Sequence, residues 1–411
     1  MNILYNIFIE FVDKIFLPVL SIFSKKINRF IDVRKDLLQE IDKDLDRKKK
    51  YIWLHAASLG EYELAIPLIK EIKKNFDNEI ILTFFSESGF KLKERIHQVS
   101  KTYFLPIDSN DNAKKLVKVF NPRFAVFIKS EIWPNYINEL KKGNIKFYLV
   151  NYIYDKYKSR VFKGILKKYT KIFTQEKNSE RQLKNIKIDN ALYIGNLKFN
   201  RAIMQKKEKY NNKKLNNYLG DDICIVFGST WKRDEEIIFD YISKGINKNV
   251  KYIIAPHEVS EKNISRLKSK LNNKVNLLSD NKYNVQSNVL IVDSIGVLKY
   301  LYSFSNISYV GGGFKKKGLH NVLEPCIYGN PVIFGKYFKF SNEAKGLIKL
   351  KCGFSIQNSK QLKNTINGLL LNNNKLKEIE IINSKFIDDN LVSINSIITV
   401  SYTHLTLPTI E

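Results

Sequence analysis

The chain of 411 residues contains only three cysteines, Cys224, Cys326 and Cys352, and they lie far apart in the sequence. No two of them are close enough to indicate a disulfide framework, and their spacing matches no common metal-binding pattern. The shortage of cysteine therefore excludes the small disulfide-bonded secreted domains. It is typical of a protein that works in a reducing, cytoplasmic setting.

Acidic residues are also scarce. The chain has 41 Asp and Glu against 69 Lys and Arg, so its formal net charge is +28. This balance favours an acidic partner, and we favour a membrane surface with anionic lipids. The lysines are spread along the whole chain, so a general bias in composition explains the charge equally well. We expect no nucleic acid partner, because no zinc finger, RNP-type aromatic motif or helix-turn-helix pattern is present.

The N-terminal segment lacks a long uncharged apolar run. Residues 1–23 are rich in Ile, Leu and Phe, but Glu10, Asp13 and Lys14 interrupt them. A spanning helix needs about 20 apolar residues with few charges, and a signal peptide carries its positive charge first. We predict that residues 1–30 form a helix on the membrane surface, with its basic end on anionic head groups. The basic residues are Lys25, Lys26 and Arg29. The alternative is a helix packed on the protein's own surface.

Two domains are expected, because 411 residues exceed one ordinary core. Short apolar runs alternate with amphipathic stretches, which predicts an α/β fold with parallel sheets and helices on both faces. The predicted strands are 51–55, 80–85, 124–128, 147–151 and 172–174 in the first half, and 223–227, 252–255, 289–292, 307–310 and 332–334 in the second.

A polar stretch rich in Lys and Asn separates the two halves and indicates a linker. We predict a first Rossmann-like domain over 31–205, a linker over 206–220 and a second Rossmann-like domain over 221–399. The groove between two such domains is the default ligand site. Residues 400–411 contain no Lys or Arg in a lysine-rich chain, and we interpret them as an artefactual tail outside the fold.

One carboxylate, Glu61, follows the first predicted strand (51–55) after a run of mostly small residues. This segment reads Ala56-Ala57-Ser58-Leu59-Gly60-Glu61. In an α/β sheet it places Glu61 where a strand ends and a helix begins, at the edge where ligands bind. Proline is tolerated in the first turn of a helix, so Pro67 predicts a helix start after Gly60. A carboxylate at that position either caps the helix or takes a proton from a substrate.

Three consecutive glycines, Gly311, Gly312 and Gly313, follow a strand of the second half. Glycine allows positive φ and close approach of the backbone to a ligand. Asn321 and Glu324 have the spacing of a capping box at a helix start, where a phosphate can bind. Glu324 also suits the two hydroxyls of a ribose. On spacing alone, a mutual cap between Asn321 and Glu324 is equally favoured.

A second phosphate cradle is predicted at Gly228, Ser229 and Thr230, which also follow a strand. A plain turn is the alternative for these three residues. His257 follows Pro256 at the end of the next strand and is a further candidate for contact with an anion. A lone histidine is more often structural.

These motifs, with others between them, resemble in order and spacing those of the 3-deoxy-D-manno-octulosonate (Kdo) transferases, a family of lipid A glycosyltransferases. The resemblance implies the GT-B arrangement, in which two Rossmann-like domains face a central cleft. The matching segments are 55–61, 130–135, 195–199, 228–230, 310–314, 318–325 and 329–333.

The resemblance implies an inverting transfer of Kdo from CMP-Kdo to a lipid A precursor, lipid IVA, with Glu61 as the general base. It implies that the region around Gly311 and Glu324 holds the cytidine monophosphate. It also implies a place at the cytoplasmic face of the inner membrane, reached through the N-terminal segment. No Asp-x-Asp stands in the setting that metal-dependent transferases use, so we expect no metal and no other cofactor.

Four further residues are assigned acceptor-binding or auxiliary roles in the site. Ser58 and Gly60 leave room for a bulky acceptor next to the base. Glu131 follows a strand and is expected to orient the acceptor or a neighbouring cation. Lys198 is expected to bind the donor carboxylate or phosphate, with an ordinary surface lysine as the alternative.

The chain departs from the family pattern at two places. Many members carry an arginine between the residues that correspond to Pro256 and His257, and this chain lacks it. Lys129-Ser130 stands before Glu131 where an acidic residue or tyrosine is more usual. Two other functions stay open: a sugar-nucleotide 2-epimerase of the same fold, and a basic protein that binds membrane or RNA without chemistry.

Overall fold

The computed structural model describes residues 2–87, 96, 98–208, 210–244, 249–272, 274–316 and 318–399. The chain forms two compact units. The first contains the chain up to Arg201 together with the stretch from Leu391, and the second is Ala202–Asn390. The tail proposed for residues 400–411 lies outside the described residues.

A fully parallel sheet forms the centre of the first unit, with strand order β3-β2-β1-β4-β5-β6-β7. Its central strands are buried along almost their whole length, as expected for a sheet covered on both faces. The order reverses between β1 and β4, and ligands bind at such a switch point. The strands are β1 (Tyr51–His55), β2 (Ile80–Phe84), β3 (Lys101–Phe104), β4 (Pro122–Ile128), β5 (Lys146–Tyr152), β6 (Lys171–Thr174) and β7 (Ala191–Tyr193).

The helices of this part of the chain are α1 (Asn2–Phe11), α2 (Leu17–Phe23), α3 (Lys25–Asp32), α4 (Leu37–Asp44), α5 (Leu59–Asn75), α6 (Asn110–Phe120), α7 (Pro134–Lys142), α8 (Lys156–Val161), α9 (Lys163–Leu166), α10 (Lys177–Asn185) and α11 (Leu197–Lys206). A π-helical segment, Val12–Phe16, joins α1 to α2. The core gathers aromatic rings around Trp53, which meets Phe120, Phe127 and Tyr136 edge-on.

Helix α5 starts earlier than the sequence predicted. It begins at Leu59, with Ser58 as its N-cap, and Pro67 lies inside it. The prediction of a start after Gly60 was therefore wrong. A proline inside a helix costs about 3 kcal/mol because it removes one hydrogen bond. Helix α5 offsets this cost by burying a broad apolar face, which includes Leu68 and Ile69.

The second unit also holds a fully parallel sheet, with strand order β10-β11-β9-β8-β12-β13-β14. Its switch point lies between β8 and β12. The strands are β8 (Ile223–Thr230), β9 (Val250–Pro256), β10 (Asn276–Leu277), β11 (Val289–Ile291), β12 (Ile307–Val310), β13 (Val332–Gly335) and β14 (Gly353–Ile356). The helices are α12 (Lys213–Leu219), α13 (Lys232–Ser243), α14 (Glu261–Lys270), α15 (Leu298–Leu301), α16 (Leu323–Cys326), α17 (Asn342–Lys349), α18 (Ser359–Leu370) and α19 (Asn373–Asp388).

The predicted α/β class with two parallel, Rossmann-like sheets is confirmed. The segment proposed as a linker contains α12, which buries Leu215 and Tyr218. The sequence placed residues up to 399 with the second domain, whereas the chain from Leu391 lies with the first unit. Asn200 holds it there: its side chain donates to the carbonyl of Val392 at 2.8 Å and accepts from the Val392 amide at 3.0 Å.

Helix α1 is fastened to the first unit through one buried carboxylate. The hydroxyl of Tyr5 donates to Asp108 at 2.8 Å. The same carboxylate accepts from the amides of Asn135 and Tyr136, at 3.0 and 2.9 Å. Burial raises the pKa of Asp108 to about 7. Among the described helices, none combines the length and the apolar character that crossing a membrane requires.

An apolar surface runs along α1, the π-helical segment and α2. We call it the N-terminal apolar stripe. Its side chains recur at helical spacing and are between 47% exposed, at Phe16, and 82% exposed, at Phe23. The stripe consists of Ile3, Leu4, Ile7, Phe8, Phe11, Ile15, Phe16, Val19, Ile22 and Phe23.

Candidate functional site

Four of the site residues predicted in the first unit lie at its switch point, where β1 and β4 end: Ser58, Gly60, Glu61 and Glu131. Glu61 is the third residue of α5 and is half-buried. Its Oε2 accepts the backbone N–H of Ser58 at 3.0 Å, so Glu61 caps the helix. Gly60 is exposed, and a Cβ atom there would have no neighbour within 4 Å. The space next to Glu61 is therefore open.

The electrostatic surroundings of Glu61 hold its pKa above the ordinary value for glutamate. Burial is the largest cause, and the negative charge of Glu131 adds to it. Lys129, the Ser58 amide and His55 act in the opposite direction and do not cancel the first two. A raised pKa makes a carboxylate a better proton acceptor near neutral pH.

Glu131 lies just beyond β4 and is held by ring N–H groups. The indole of Trp133 donates to Oε2 of Glu131 at 3.0 Å, and Nε2 of His55 lies 3.3 Å from the same oxygen. The hydroxyl of Tyr169 donates to the Glu131 backbone carbonyl at 3.1 Å. These contacts fix the carboxylate that raises the pKa of Glu61.

A buried chain of hydrogen bonds leads to Glu131 through His55. The indole of Trp53 donates to the Thr83 hydroxyl at 2.9 Å, and that hydroxyl lies 2.9 Å from Nδ1 of His55. All three side chains are fully buried. The arrangement favours the tautomer in which Nδ1 accepts from Thr83 and Nε2–H donates to Glu131, which we assign from the partners. Sequence analysis quoted His55 as part of a motif and did not assign it this role.

Lys129 adopts a left-handed backbone conformation, with φ of +64°. Its amide donates to Val150 on the neighbouring strand at 2.7 Å. A residue other than glycine is uncommon in this conformation and marks a turn or a functional constraint. Here the turn places the positive side chain of Lys129 close enough to interact electrostatically with Glu61.

Lys198 lies in the first turn of α11, beyond β7. The start of this helix is fixed by Asn151, which accepts from the Leu197 amide at 3.0 Å and donates to Gln175 at 2.8 Å. Lys198 is half-buried, and its backbone amide donates to Asn196 at 3.1 Å. No described contact joins Lys198 to Glu61 or Glu131, so its binding role stays a prediction.

Two glycines, Gly228 near the end of β8 and Gly311 directly after β12, are required by close packing at the second switch point. A Cβ atom on Gly228 would lie 1.9 Å from the Tyr302 hydroxyl, and one on Gly311 would lie 2.2 Å from the Ser229 carbonyl. Ser229 has φ of +51°, and Thr230, which follows it, donates to Glu235 at 3.3 Å. The strand ends therefore meet backbone to backbone.

The next two glycines also pack against protein backbone. Gly312 has φ of +84°, and its amide donates to Asp234 at 3.0 Å. A Cβ atom on Gly313 would lie 2.5 Å from the Gly335 nitrogen. The Gly311 amide donates to the Gly228 carbonyl at 2.8 Å. Two of the three amides are thus used within the protein, and contact between this segment and a phosphate stays a prediction.

Asn321 and Glu324 contact each other, as expected from the alternative in which the two side chains cap each other. The Asn321 amide group donates to Glu324 at 3.2 Å, and its oxygen accepts from the Leu323 amide at 3.2 Å. Helix α16, which begins two residues after Asn321 and contains Glu324, has only four residues. Contact with a ligand at these two residues is untested.

His257 belongs to a group of side chains that we call the Trp231 cluster: Trp231, His257, Lys315 and His320. The rings of Trp231 and His257 are stacked with centroids 4.2 Å apart, and those of His257 and His320 are 4.7 Å apart. The ammonium of Lys315 lies 3.9 Å from the centre of the Trp231 ring. The members follow β8, β9 and β12, so the cluster stands at the switch point.

The protonation of His320 is set by its neighbours. The indole N–H of Trp231 donates to Nε2 of His320 at 2.9 Å, which places the ring hydrogen on Nδ1. Burial, with a smaller contribution from His257, lowers the pKa of His320 to about 4. His320 is therefore neutral near neutral pH and retains one N–H donor at Nδ1. Sequence analysis missed the roles of Trp231 and Lys315, because neither belongs to a recognisable motif.

Solved structures share this fold. UDP-GlcNAc 2-epimerase from Neisseria meningitidis aligns with a TM-score of 0.63 at 12% identity, over 86% of this chain and 100% of that one. A glycosyltransferase from Rickettsia africae aligns with a TM-score of 0.57 at 15% identity, over 87% and 100%. At these identities the likeness shows the fold alone, and the fold is that of the GT-B glycosyltransferases and their epimerase neighbours.

Sequence relatives are more specific. The family model for 3-deoxy-D-manno-octulosonic-acid transferase (kdotransferase) matches residues 30–201. The 3-deoxy-D-manno-octulosonic acid transferase of Rickettsia prowazekii is 32% identical over 86% of this chain and 79% of its own length. That of Aquifex aeolicus is 30% identical over 78% and 86%.

A bifunctional glycosyltransferase/methyltransferase of Fusobacterium nucleatum is 28% identical over 95% of this chain. The match spans 62% of that relative's length. With the two parallel sheets, these relatives define the protein as a glycosyltransferase. The chain belongs to the 3-deoxy-D-manno-octulosonic acid transferase family, which confirms the resemblance seen in its motifs.

Proposed function

We propose that the protein transfers Kdo from CMP-Kdo to the lipid A precursor lipid IVA, with inversion at the anomeric carbon. The observation that carries this proposal is Glu61, a half-buried carboxylate of raised pKa at the switch point of a Rossmann-like sheet, in a chain of this family. The 2-epimerases share only the fold with this chain, so we do not favour that activity.

In this proposal, Glu61 takes the proton of the acceptor hydroxyl. The hydroxyl oxygen forms a bond to the anomeric carbon of Kdo, while the bond from that carbon to the phosphate oxygen breaks. The electron pair of the broken bond leaves with CMP. Burial and the charge of Glu131, which His55 and Trp133 hold in place, raise the pKa of Glu61 and make it a better proton acceptor.

The second unit supplies the donor site in this proposal. CMP-Kdo is anionic at its phosphate and at the sugar carboxylate, so its site must provide positive charge or N–H donors. His257 belongs to the Trp231 cluster, which offers both. Gly228 and Gly311 allow the strand ends to approach closely and leave the switch point open to side chains that follow them.

We also propose that the N-terminal apolar stripe lies on the cytoplasmic face of the inner membrane. Ten exposed apolar side chains share this surface, and Lys25, Lys26 and Arg29 follow it. Apolar area and basic charge both favour binding to an anionic bilayer surface. This position would present a lipid acceptor to the enzyme without extraction into water.

Mass spectrometry of the lipid product tests the proposed function. Purified protein is incubated with CMP-Kdo and a tetra-acylated acceptor, and in a parallel reaction with UDP-N-acetylglucosamine alone. We expect a mass increase of the acceptor by Kdo units and no epimerisation. An epimerised sugar nucleotide with an unchanged acceptor would contradict the proposal.

A further inference from the structure

The Trp231 cluster brings a cation and oriented N–H groups to one point of the second unit. Lys315 is exposed, and its ammonium lies over the Trp231 ring at 3.9 Å. The other edge of the cluster is His320, which receives the Trp231 indole N–H at 2.9 Å and keeps its own hydrogen on Nδ1. The stacked His257 ring fixes the orientation of the indole.

The acidic groups nearest the cluster are already occupied. Asp234 accepts from the Trp231 amide at 2.9 Å, the Gly312 amide at 3.0 Å and the Tyr309 hydroxyl at 2.7 Å. Within the part of the chain that the structure describes, no carboxylate lies in ion-pair distance of the Lys315 ammonium. Burial raises the pKa of Asp234 overall, and the charge of Lys315 acts against this at longer range. The exposed ammonium itself remains accessible to an external anion.

A second acid, Glu235, is also engaged. It forms an ion pair with Arg266 and accepts the hydroxyl of Thr230 at 3.3 Å. Its charge is compensated within the protein and does not oppose an anion at the cluster. The side chains of the cluster itself are an indole, an ammonium and two imidazoles, so every member can act as a donor.

We propose that Lys315, held over Trp231, binds the phosphate of the donor nucleotide together with the Nδ1–H of His320. The proposal rests on the proposed function for the identity of the nucleotide. A lysine held by a cation–π contact loses less side-chain freedom on binding than a free one, because its position is already restricted. A phosphate suits this arrangement because its oxygens can accept from the ammonium and the imidazole together.

The same donors would also bind the carboxylate of the sugar. The test therefore distinguishes binding of the phosphate from binding of the carboxylate. Binding of CMP, cytidine and free Kdo to the full chain is measured by isothermal titration calorimetry. The variants are Lys315→Met, Lys315→Arg and, as the matched control, Lys316→Met at the exposed neighbouring lysine. We expect about tenfold weaker CMP binding for Lys315→Met, with cytidine and Kdo binding unchanged. Lys315→Arg and Lys316→Met should bind CMP as the native chain does.

Two results would overturn the proposal. One is unchanged CMP affinity in Lys315→Met, and the other is an equal loss in Lys316→Met, which would indicate general charge alone. Weaker binding of Kdo with unchanged CMP affinity would also overturn it, because the anion bound would then be the carboxylate. Failure of the proposed function is seen separately, as native protein that binds CMP through Lys315 and forms no Kdo-lipid product.

Discussion

The backbone N–H of Ser58 donates a 3.0 Å hydrogen bond to Oε2 of Glu61 in the first turn of α5. The sequence left open whether this carboxylate caps the helix or serves as a base, and the contact shows the cap. The two roles are compatible, because a carboxylate has two oxygens and several lone-pair positions. They are also separable, since glutamine at this position of a capping box serves as a cap equally well.

The dependence of Glu61 on Glu131 predicts a shift in the pH profile. In Glu131→Gln the negative charge that raises the pKa of Glu61 is removed, so that pKa falls. The acidic limb of kcat/KM, which reflects ionisation of the free enzyme's base, should then move to lower pH. Kinetics with CMP-Kdo and lipid acceptor between about pH 4 and 9 measure the shift.

Glu139→Gln provides the control, because Glu139 forms a surface ion pair with Lys142 on α7. Its profile should coincide with that of the native chain. An acidic limb that stays in place in Glu131→Gln, or moves to higher pH, would disprove the coupling between the two carboxylates.

The contact between Tyr5 and Asp108 predicts stability that depends on pH. The pKa of Asp108 in the folded chain is raised from 3.8 to about 7, so the folded state binds more protons than the unfolded state between these values. Stability contributed by Asp108 is therefore lost as the pH rises through this window. The Tyr5 hydroxyl offsets part of the loss, because it donates to the ionised carboxylate.

Tyr5→Phe should consequently lower the free energy of unfolding more at pH 8 than at pH 5. The expected loss at pH 8 is about 1.5 kcal/mol. Thermal unfolding at both pH values measures the difference. Tyr157→Phe serves as a control, because Tyr157 is 79% exposed. Equal destabilisation of Tyr5→Phe at both pH values would show that ionisation of Asp108 is irrelevant to this contact.

The N-terminal apolar stripe predicts binding to anionic vesicles. Phe8 is 60% exposed on α1, and Phe8→Asp removes apolar area while adding a charge that the bilayer repels. We expect severalfold weaker co-sedimentation with vesicles that contain anionic lipid. Ile381→Asp, at a helical residue of the second unit that is 71% exposed, should bind like the native chain. Equal losses in both variants would argue against a surface specific to the stripe.

Much of the fold was accessible from the sequence because the inner strands are short, continuous apolar runs. Each strand predicted from such a run is present in the structure. The strands that were missed, β3, β7, β10 and β14, are the four sheet edges. Edge strands lie against fewer partners and need less apolar character, so β7 leaves Leu192 exposed and gives no clear pattern.

Less of the candidate site than of the fold could be predicted from the sequence. Glu61 and Glu131 stand at strand ends and were identified from that position. The hydrogen bond from Trp133 to Glu131 is local, because the two residues are two positions apart. The contact with His55 joins β1 to the segment just beyond β4, and only the folded sheet brings it about. Lys315 contacts Trp231, which lies 84 residues earlier in the sequence, and neither residue belongs to a matching segment, so a local pattern could not reveal the contact.

The central claim is that Glu61 removes the acceptor proton, and turnover of Glu61→Gln tests it most directly. Product formation is measured at saturating CMP-Kdo and acceptor, with circular dichroism to show that the fold is retained. Glu71→Gln, on the same helix and in an ion pair with Lys74, is the control. We expect kcat to fall by about 10²- to 10⁴-fold in Glu61→Gln and to stay unchanged in Glu71→Gln. A folded Glu61→Gln enzyme with near-native kcat would contradict the account.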